Sequence, residues 1–151
     1  ESYLYRPQEG ADLGERMKNA IQSSFAEGMT SVVLIGSDLP DLPRPVLQEA
    51  FSSLETKDSV LGPSVDGGYY LVGFRKQGFW PAAFDGIAWS TDLVLSETMR
   101  RFSAAGRTLH LLPSGRDLDT PEDLQDFRRR NRTSSFARFR TMTFLNQLEL
   151  P

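Results

Sequence analysis

The sequence has 151 residues (17.0 kDa), of which 39% are hydrophobic and 25% charged, with a mean hydropathy of −0.37 and a formal net charge of −3. That length fits one domain, able to bury roughly two-thirds of its unfolded surface at about this size, and no window approaches the roughly 20 consecutive apolar residues of a spanning helix. The absence of cysteine excludes disulfides, thiolate zinc sites and cysteine nucleophiles, and with a single histidine a Ser-His triad could be built only on His110.

Any metal ion therefore has to be held mainly by oxygen ligands. No charged, then apolar, then small-residue leader opens the sequence, so the expected location is the cytoplasm, with no membrane partner. The net charge hides an asymmetry. Residues 1–127 carry 11 basic and 19 acidic side chains, whereas residues 128–151 carry six arginines and one glutamate. A short terminal run of arginines is ordinarily a solvated face, and no nucleic-acid partner is expected from it.

Residues 12–27 read as a helix: Leu13, Met17, Ile21 and Phe25 recur at every fourth position, Asp12 with Glu15 forms a capping-box pattern, and Gly28 can end the helix in the left-handed conformation. Residues 31–35 are apolar and rich in β-branched side chains, as in a strand buried on both faces. Pro45 opens a second helix with Val46, Leu47, Ala50, Phe51 and Leu54 along one face, and residues 59–62 follow as a short strand. Another strand spans 69–74, entered through Asp66-Gly67-Gly68. After a loop with Phe79, Trp80, Pro81 and Phe84, residues 91–105 carry Leu95, Met99 and Phe102 on one helical face and stop at Gly106. Residues 108–112 read as a strand. Thr120 is an N-cap, with Pro121 at the first helical position and Asp123 three residues after the cap, so a helix starts there with Leu124 and Phe127 inward. Helices alternating with strands predict an α/β layered fold with a mostly parallel sheet.

Three segments carry candidate chemistry. Gly36-Ser37-Asp38-Leu39-Pro40-Asp41-Leu42 stands at the C-terminal end of the first strand, where α/β sheets place ligands. Asp38 is the first candidate ligand for Mg²⁺ or Mn²⁺, because a hard divalent cation is commonly held by one or two carboxylates together with substrate phosphates. Asp41 is read as a cap of the turn into the next helix. In Gly62-Pro63-Ser64-Val65-Asp66-Gly67-Gly68-Tyr69-Tyr70, the paired glycines allow positive φ and close approach of backbone N–H groups to a ligand. Asp66 there could accept a substrate hydroxyl's proton, and it could equally shape a hairpin turn, since Asp-Gly is a strong hairpin signal. In Asp117-Leu118-Asp119-Thr120-Pro121-Glu122-Asp123, capping accounts for Thr120, Pro121 and Asp123 and leaves Asp117 and Asp119 without a local task. Trp89 offers a flat face with one donor or a core-packing ring, while Ser90 or Thr91 could cap the following helix. Tyr69 and Tyr70 point to opposite faces of their strand, so at most one faces a given cleft. His110 alternates with Leu109 and Leu111 and is read as structural.

These segments, with the Glu9-Gly10-Ala11-Asp12-Leu13-Gly14-Glu15-Arg16-Met17 stretch and Trp89-Ser90-Thr91, resemble a bacterial family of nucleotide-diphospho-sugar transferase-like proteins. That family is described as glycosyltransferases, is partly associated with arsenosugar biosynthesis, and is related to molybdenum-cofactor and phospholactate guanylyltransferases. The likeness covers about residues 7–127. It implies a GT-A-like α/β fold with flanking helices, a transferase domain over residues 1–127 and an Arg-rich tail over 128–151. It also implies that the sequence is N-terminally truncated, since members begin with a strand and a Lys/Arg-bearing loop that wraps the nucleotide. The resemblance assigns Asp38 and Asp119 to the metal and Asp66 to acceptor activation. Gly36, Ser37, Gly67, Gly68, Tyr69, Trp89 and Ser90 are the expected substrate-binding positions. The implied reaction moves a sugar from a nucleotide sugar to a small-molecule acceptor. Two other readings stand beside it: nucleotidyl transfer from a nucleoside triphosphate to a phosphorylated small molecule, and a non-catalytic nucleotide-binding or interaction domain.

Overall fold

A computed structural model describes residues 3–148. Its elements follow in chain order: α1 (Leu13–Ala26), β1 (Ser31–Ile35), α2 (Arg44–Ser53), β2 (Ser59–Pro63), β3 (Tyr69–Arg75), α3 (Val94–Ala104), β4 (Leu109–Leu111), α4 (Pro121–Asn131) and α5 (Arg140–Leu145), with short 3-10 turns at Lys76–Gly78, Pro81–Phe84 and Ser135–Arg138. Local signals account for most of the boundaries. The Asp12 carboxylate accepts from the Glu15 N–H at 2.8 Å, Glu15 reaches back to the Ala11 N–H, and Gly28 adopts φ +99° after the last turn of α1. Thr120 and Asp123 complete a reciprocal capping box at α4.

The sheet is mixed, in the order β1-β3-β2-β4, with β3 antiparallel to both β1 and β2 and only β2–β4 parallel. This corrects the expectation of a mostly parallel sheet. The reason is the connection: residues 64–68 are too few for a crossover, and a tight turn can join only antiparallel neighbours. Because β1 and β2 both oppose β3, and β4 follows β2, the strands β1, β2 and β4 point the same way and end on one edge of the sheet.

Helices cover both faces. Ile21 and Phe25 of α1 and Phe102 of α3 pack with Val32, Leu61, Val72 and Phe74 on one face, while Ala50 and Leu54 from the α2 region pack with Val60 and Leu71 on the other. Helix α3 begins three residues later than the sequence predicts. Ser90 takes φ +64° and Thr91 spends its hydroxyl donating to the Ala88 carbonyl, so neither caps the helix, whose N-cap is Leu93. Residue 127 lies inside α4, and the segment beyond it folds back: Phe127, Met142 and Leu145 form a third buried cluster with Leu118, Leu124 and Phe136 beside it. Asp41, expected to cap the turn before α2, instead binds Arg130 at 2.9 and 3.1 Å and Asn131 at 2.6 Å, pinning α4 to the loop after β1. Partial burial opposes its ionisation, but the hydrogen bonds from Arg130 and Asn131 outweigh that and hold its carboxyl below the usual range. Among the described residues no helix is long and apolar enough to cross a membrane.

Asp58 ties three strands together at the opposite end of the sheet. Its carboxylate accepts from Arg75 at 2.5 Å and from the backbone and hydroxyl of Thr108 at 3.0 and 2.9 Å, and its own N–H donates to the Thr108 hydroxyl. These hydrogen bonds, first that from Arg75, lower its pKa to about 2. Since an unfolded aspartate titrates near 3.9, the stabilisation is complete above about pH 4 and is lost as pH falls through the folded value. Asp58→Asn should lower stability by about 1.5–3 kcal/mol at neutral pH. Urea denaturation should show the gap between variant and wild type narrowing between about pH 4 and pH 2, and a gap independent of pH would detach Asp58 from sheet stability.

Candidate active site

A cleft of about 780 Å³ opens where β1, β2 and β4 end. Backbone hydrogen bonds assemble its acidic rim. Beyond β2 and β4 the parallel pairing continues through a bridge between Ser64 and Gly115, with Val65 N–H donating to Gly115 and Gly115 N–H to Pro63. Leu118 N–H then donates to the Asp38 carbonyl at 3.0 Å, and Gly36 N–H to the Tyr70 carbonyl at 2.9 Å. The loop after β1, the turn between β2 and β3, and the segment after β4 are thereby brought to one place, although they are far apart in sequence.

Asp38, Asp66, Asp117 and Asp119 all line this cleft, as do Gly36, Ser37, Gly68, Tyr69, Trp89 and Ser90. Asp38 folds back over Gly36, where an added Cβ would lie 2.5 Å from its Oδ1. Asp66 accepts from the Gly68 N–H at 2.9 Å, so one of its oxygens fixes the turn that it also presents to the cleft. Asp117 accepts from the buried Ser64 hydroxyl at 2.5 Å, while its Oδ1 is buried with no hydrogen-bond partner. Burial, and after it the neighbouring charges of Asp38, Asp66 and Asp119, push the Asp117 carboxyl above its ordinary pKa.

Gly67 is the exception among the expected binding positions. It sits at φ +91°, its carbonyl accepts from Leu95 N–H, and a Cβ there would lie 2.2 Å from the Asp92 carbonyl oxygen. It serves the turn and its docking on the residues before α3, and does not line the cleft. The two tyrosine rings pack on opposite faces of the sheet, but both residues line the cleft, against the expectation that only one would. Tyr69 packs on the α1 face, edge-on to Trp89 at 6.4 Å, and burial pushes its hydroxyl pKa up, so the phenol stays protonated. Tyr70 packs on the α2 face and donates to the Pro113 carbonyl, its ring wedged against Gly62 and Gly115, where any Cβ would approach within 2.4 and 2.7 Å. Trp89 packs in the core, stacking on Phe84, and also lines the cleft, with its indole N–H buried and without a hydrogen-bond partner. His110 bonds Glu49 of α2 at 2.8 Å, away from the cleft.

Sequence reading left out the α1 wall, where Leu13, Arg16 and Met17 also line the cleft. Gly14 carried that signal: an absent side chain in the first turn of an amphipathic helix. A Cβ at Gly14 would come within 2.6 Å of the Trp89 ring. Ala is favoured over Gly inside a helix by about 0.8–1.0 kcal/mol, whereas overpacking typically costs about 1–3 kcal/mol. Gly14→Ala should therefore be net destabilising in chemical denaturation. In a Trp80→Phe background, which leaves Trp89 as the single tryptophan, it should shift the fluorescence, and a stabilised variant with an unchanged spectrum would contradict the contact.

Among the described residues no group of three or more His, Asp or Glu side chains is arranged to hold a metal ion by itself. The donors at hand are carboxylates, the set that suits a hard cation completed by phosphate oxygens.

Residues 1–91 match a family described as "uncharacterized protein conserved in bacteria" (DUF2064). No curated protein matches the chain. Among solved structures, a "putative nucleotide-diphospho-sugar transferase" from Desulfovibrio desulfuricans G20 is similar over 93% of this chain, with 45% identity and a TM-score of 0.90. The chain spans 61% of that protein's length.

Proposed function

The chain belongs to the bacterial DUF2064 family, and we propose that it is a metal-dependent nucleotide-diphospho-sugar transferase, moving a sugar from a nucleotide sugar to a small-molecule acceptor. One observation carries this reading: Asp38, Asp66, Asp117 and Asp119, from three loops, converge on a single cleft at the carboxyl ends of co-directional strands. The likeness to the Desulfovibrio protein supports the same class of reaction.

Asp38 and Asp119 would hold Mg²⁺ or Mn²⁺ together with diphosphate oxygens of the donor, and the ion's charge would offset that of the leaving nucleoside diphosphate. The chain's own residues do the rest. Asp66, held in place by the Gly68 N–H, takes the proton of the acceptor hydroxyl as that oxygen attacks the anomeric carbon. Tyr69 and Trp89 form a wall that excludes water from one side of the sugar. Gly36, Ser37 and Ser90 offer small polar positions beside the donor, with Gly36 leaving room for the Asp38 carboxylate.

Incubation with a panel of nucleotide sugars and Mg²⁺ or Mn²⁺ should release nucleoside diphosphate, and Asp38→Ala should abolish the release. Pyrophosphate formed from a nucleoside triphosphate and a phosphorylated acceptor would replace this reading with nucleotidyl transfer. No product from either panel would leave a binding domain.

Asp66→Asn separates the turn from the chemistry. The amide keeps an oxygen for the Gly68 N–H, so the fold should persist, but it cannot take a proton. Turnover should fall by roughly 10²–10⁴-fold with the melting temperature nearly unchanged. Unaltered turnover would make Asp66 a turn residue only.

A further inference from the structure

Among the described residues the cleft is lined by five aspartates, Asp38, Asp66, Asp92, Asp117 and Asp119, and by a single basic side chain, Arg16 of α1. The chemistry above does not use it. Elsewhere in the fold arginines beside carboxylates pair with them, as Arg75 does with Asp58 and Arg130 with Asp41. Arg16 instead donates from Nε to the Gly10 carbonyl at 3.3 Å and, among the described residues, forms no ion pair with any of the five aspartates. Gly10 can offer that carbonyl because it sits at φ +147° without a side chain, and an added Cβ would lie 2.7 Å from the Arg16 backbone nitrogen. The chain before α1 is thus folded tightly over its first turn, and its carbonyl anchors the base of the guanidinium. The two terminal nitrogens are left without a partner among the described residues, on an exposed side chain.

Charge balance indicates what those nitrogens can serve. In the reading above, the divalent ion is matched by Asp38 and Asp119, so the other lining aspartates and the donor's diphosphate would crowd uncompensated negative charge into one cleft. A second positive group is needed for the diphosphate to bind there, and Arg16 is the lining residue that supplies one. A guanidinium held at Nε presents its terminal N–H groups as a planar fork, the shape that meets two phosphate oxygens together. We propose that Arg16 binds the diphosphate of the nucleotide-sugar donor from the α1 side of the cleft. The inference rests on the nucleotide-sugar reading and deepens it by naming a residue that recognises the donor's charge.

The experiment is calorimetric titration of wild type, Arg16→Gln, Arg16→Lys and Asp38→Ala with a panel of nucleoside diphosphates, each beside its parent nucleoside, with and without Mn²⁺. Melting temperature is recorded alongside. Arg16→Gln should weaken nucleoside diphosphate binding by about tenfold, the lower end for a hydrogen bond to a charged group at a solvent-open site. Nucleoside affinity and the melt should stay as in the wild type. Arg16→Lys keeps the charge and loses the fork, so it should recover part of the loss. Wild-type diphosphate affinity in Arg16→Gln, with binding lost in Asp38→Ala, would overturn this inference and leave the metal-dependent reading standing. Diphosphate binding weakened by Arg16→Gln, yet indifferent to Mn²⁺ and to Asp38→Ala, would support Arg16 and remove the metal from the reading. An equal loss of nucleoside and diphosphate affinity would reveal a disturbed α1 wall and overturn the assignment of Arg16 to phosphate. Absence of nucleoside diphosphate binding in the wild type would overturn both.

Discussion

The parallel pairing of β4 with β2, carried past the strands by the Ser64–Gly115 bridge and closed by the Leu118 N–H to Asp38 carbonyl bond, is the constraint on which the cleft depends. It sets the segment holding Asp117 and Asp119 beside the loop holding Asp38. Without it the three acidic loops would be separate features of a small sheet. The interactions are backbone to backbone, so the placement does not rely on the identity of the side chains being placed. Those side chains are then free to repel one another, and that repulsion adds to the larger effect of burial in raising the pKa of Asp117.

Stability and chemistry are divided between the two ends of the sheet. At the end away from the cleft, Asp58 is fully satisfied by Arg75 and Thr108, and its pKa is lowered. At the cleft end, Asp117 has one oxygen without a partner, and its pKa is raised. Two aspartates in one fold thus titrate in opposite directions, and the contrast separates a carboxylate that holds the fold from one that strains it. The cleft therefore carries an electrostatic cost that the remainder of the core has to offset.

Much of this was legible in the sequence, for identifiable reasons. Capping chemistry located α1 and α4 within a residue or two, because Asp12 with Glu15 and Thr120 with Asp123 satisfy donors within one turn. The three Asp-bearing loops were visible because each follows a strand and no local hydrogen bond was needed to explain Asp38, Asp117 or Asp119. Strand direction was not legible from alternation alone: the Asp66-Gly67-Gly68 turn already forced β3 to run antiparallel, and the helix-strand alternation concealed it. The role of Asp41 was missed because its partners, Arg130 and Asn131, lie 89 and 90 residues away. Gly62 and Gly115, 53 residues apart, both make room for the Tyr70 ring. Long-range contact decided each of these, and spacing along the chain does not encode it.

The most direct measurement is anomalous diffraction at the manganese edge from crystals grown with Mn²⁺ and a nucleoside diphosphate. The account predicts a single strong peak in the cleft, between Asp38 and the segment that carries Asp117 and Asp119, with diphosphate density against it. A nucleoside diphosphate bound in the cleft with no anomalous peak, or a peak remote from these aspartates, would contradict it.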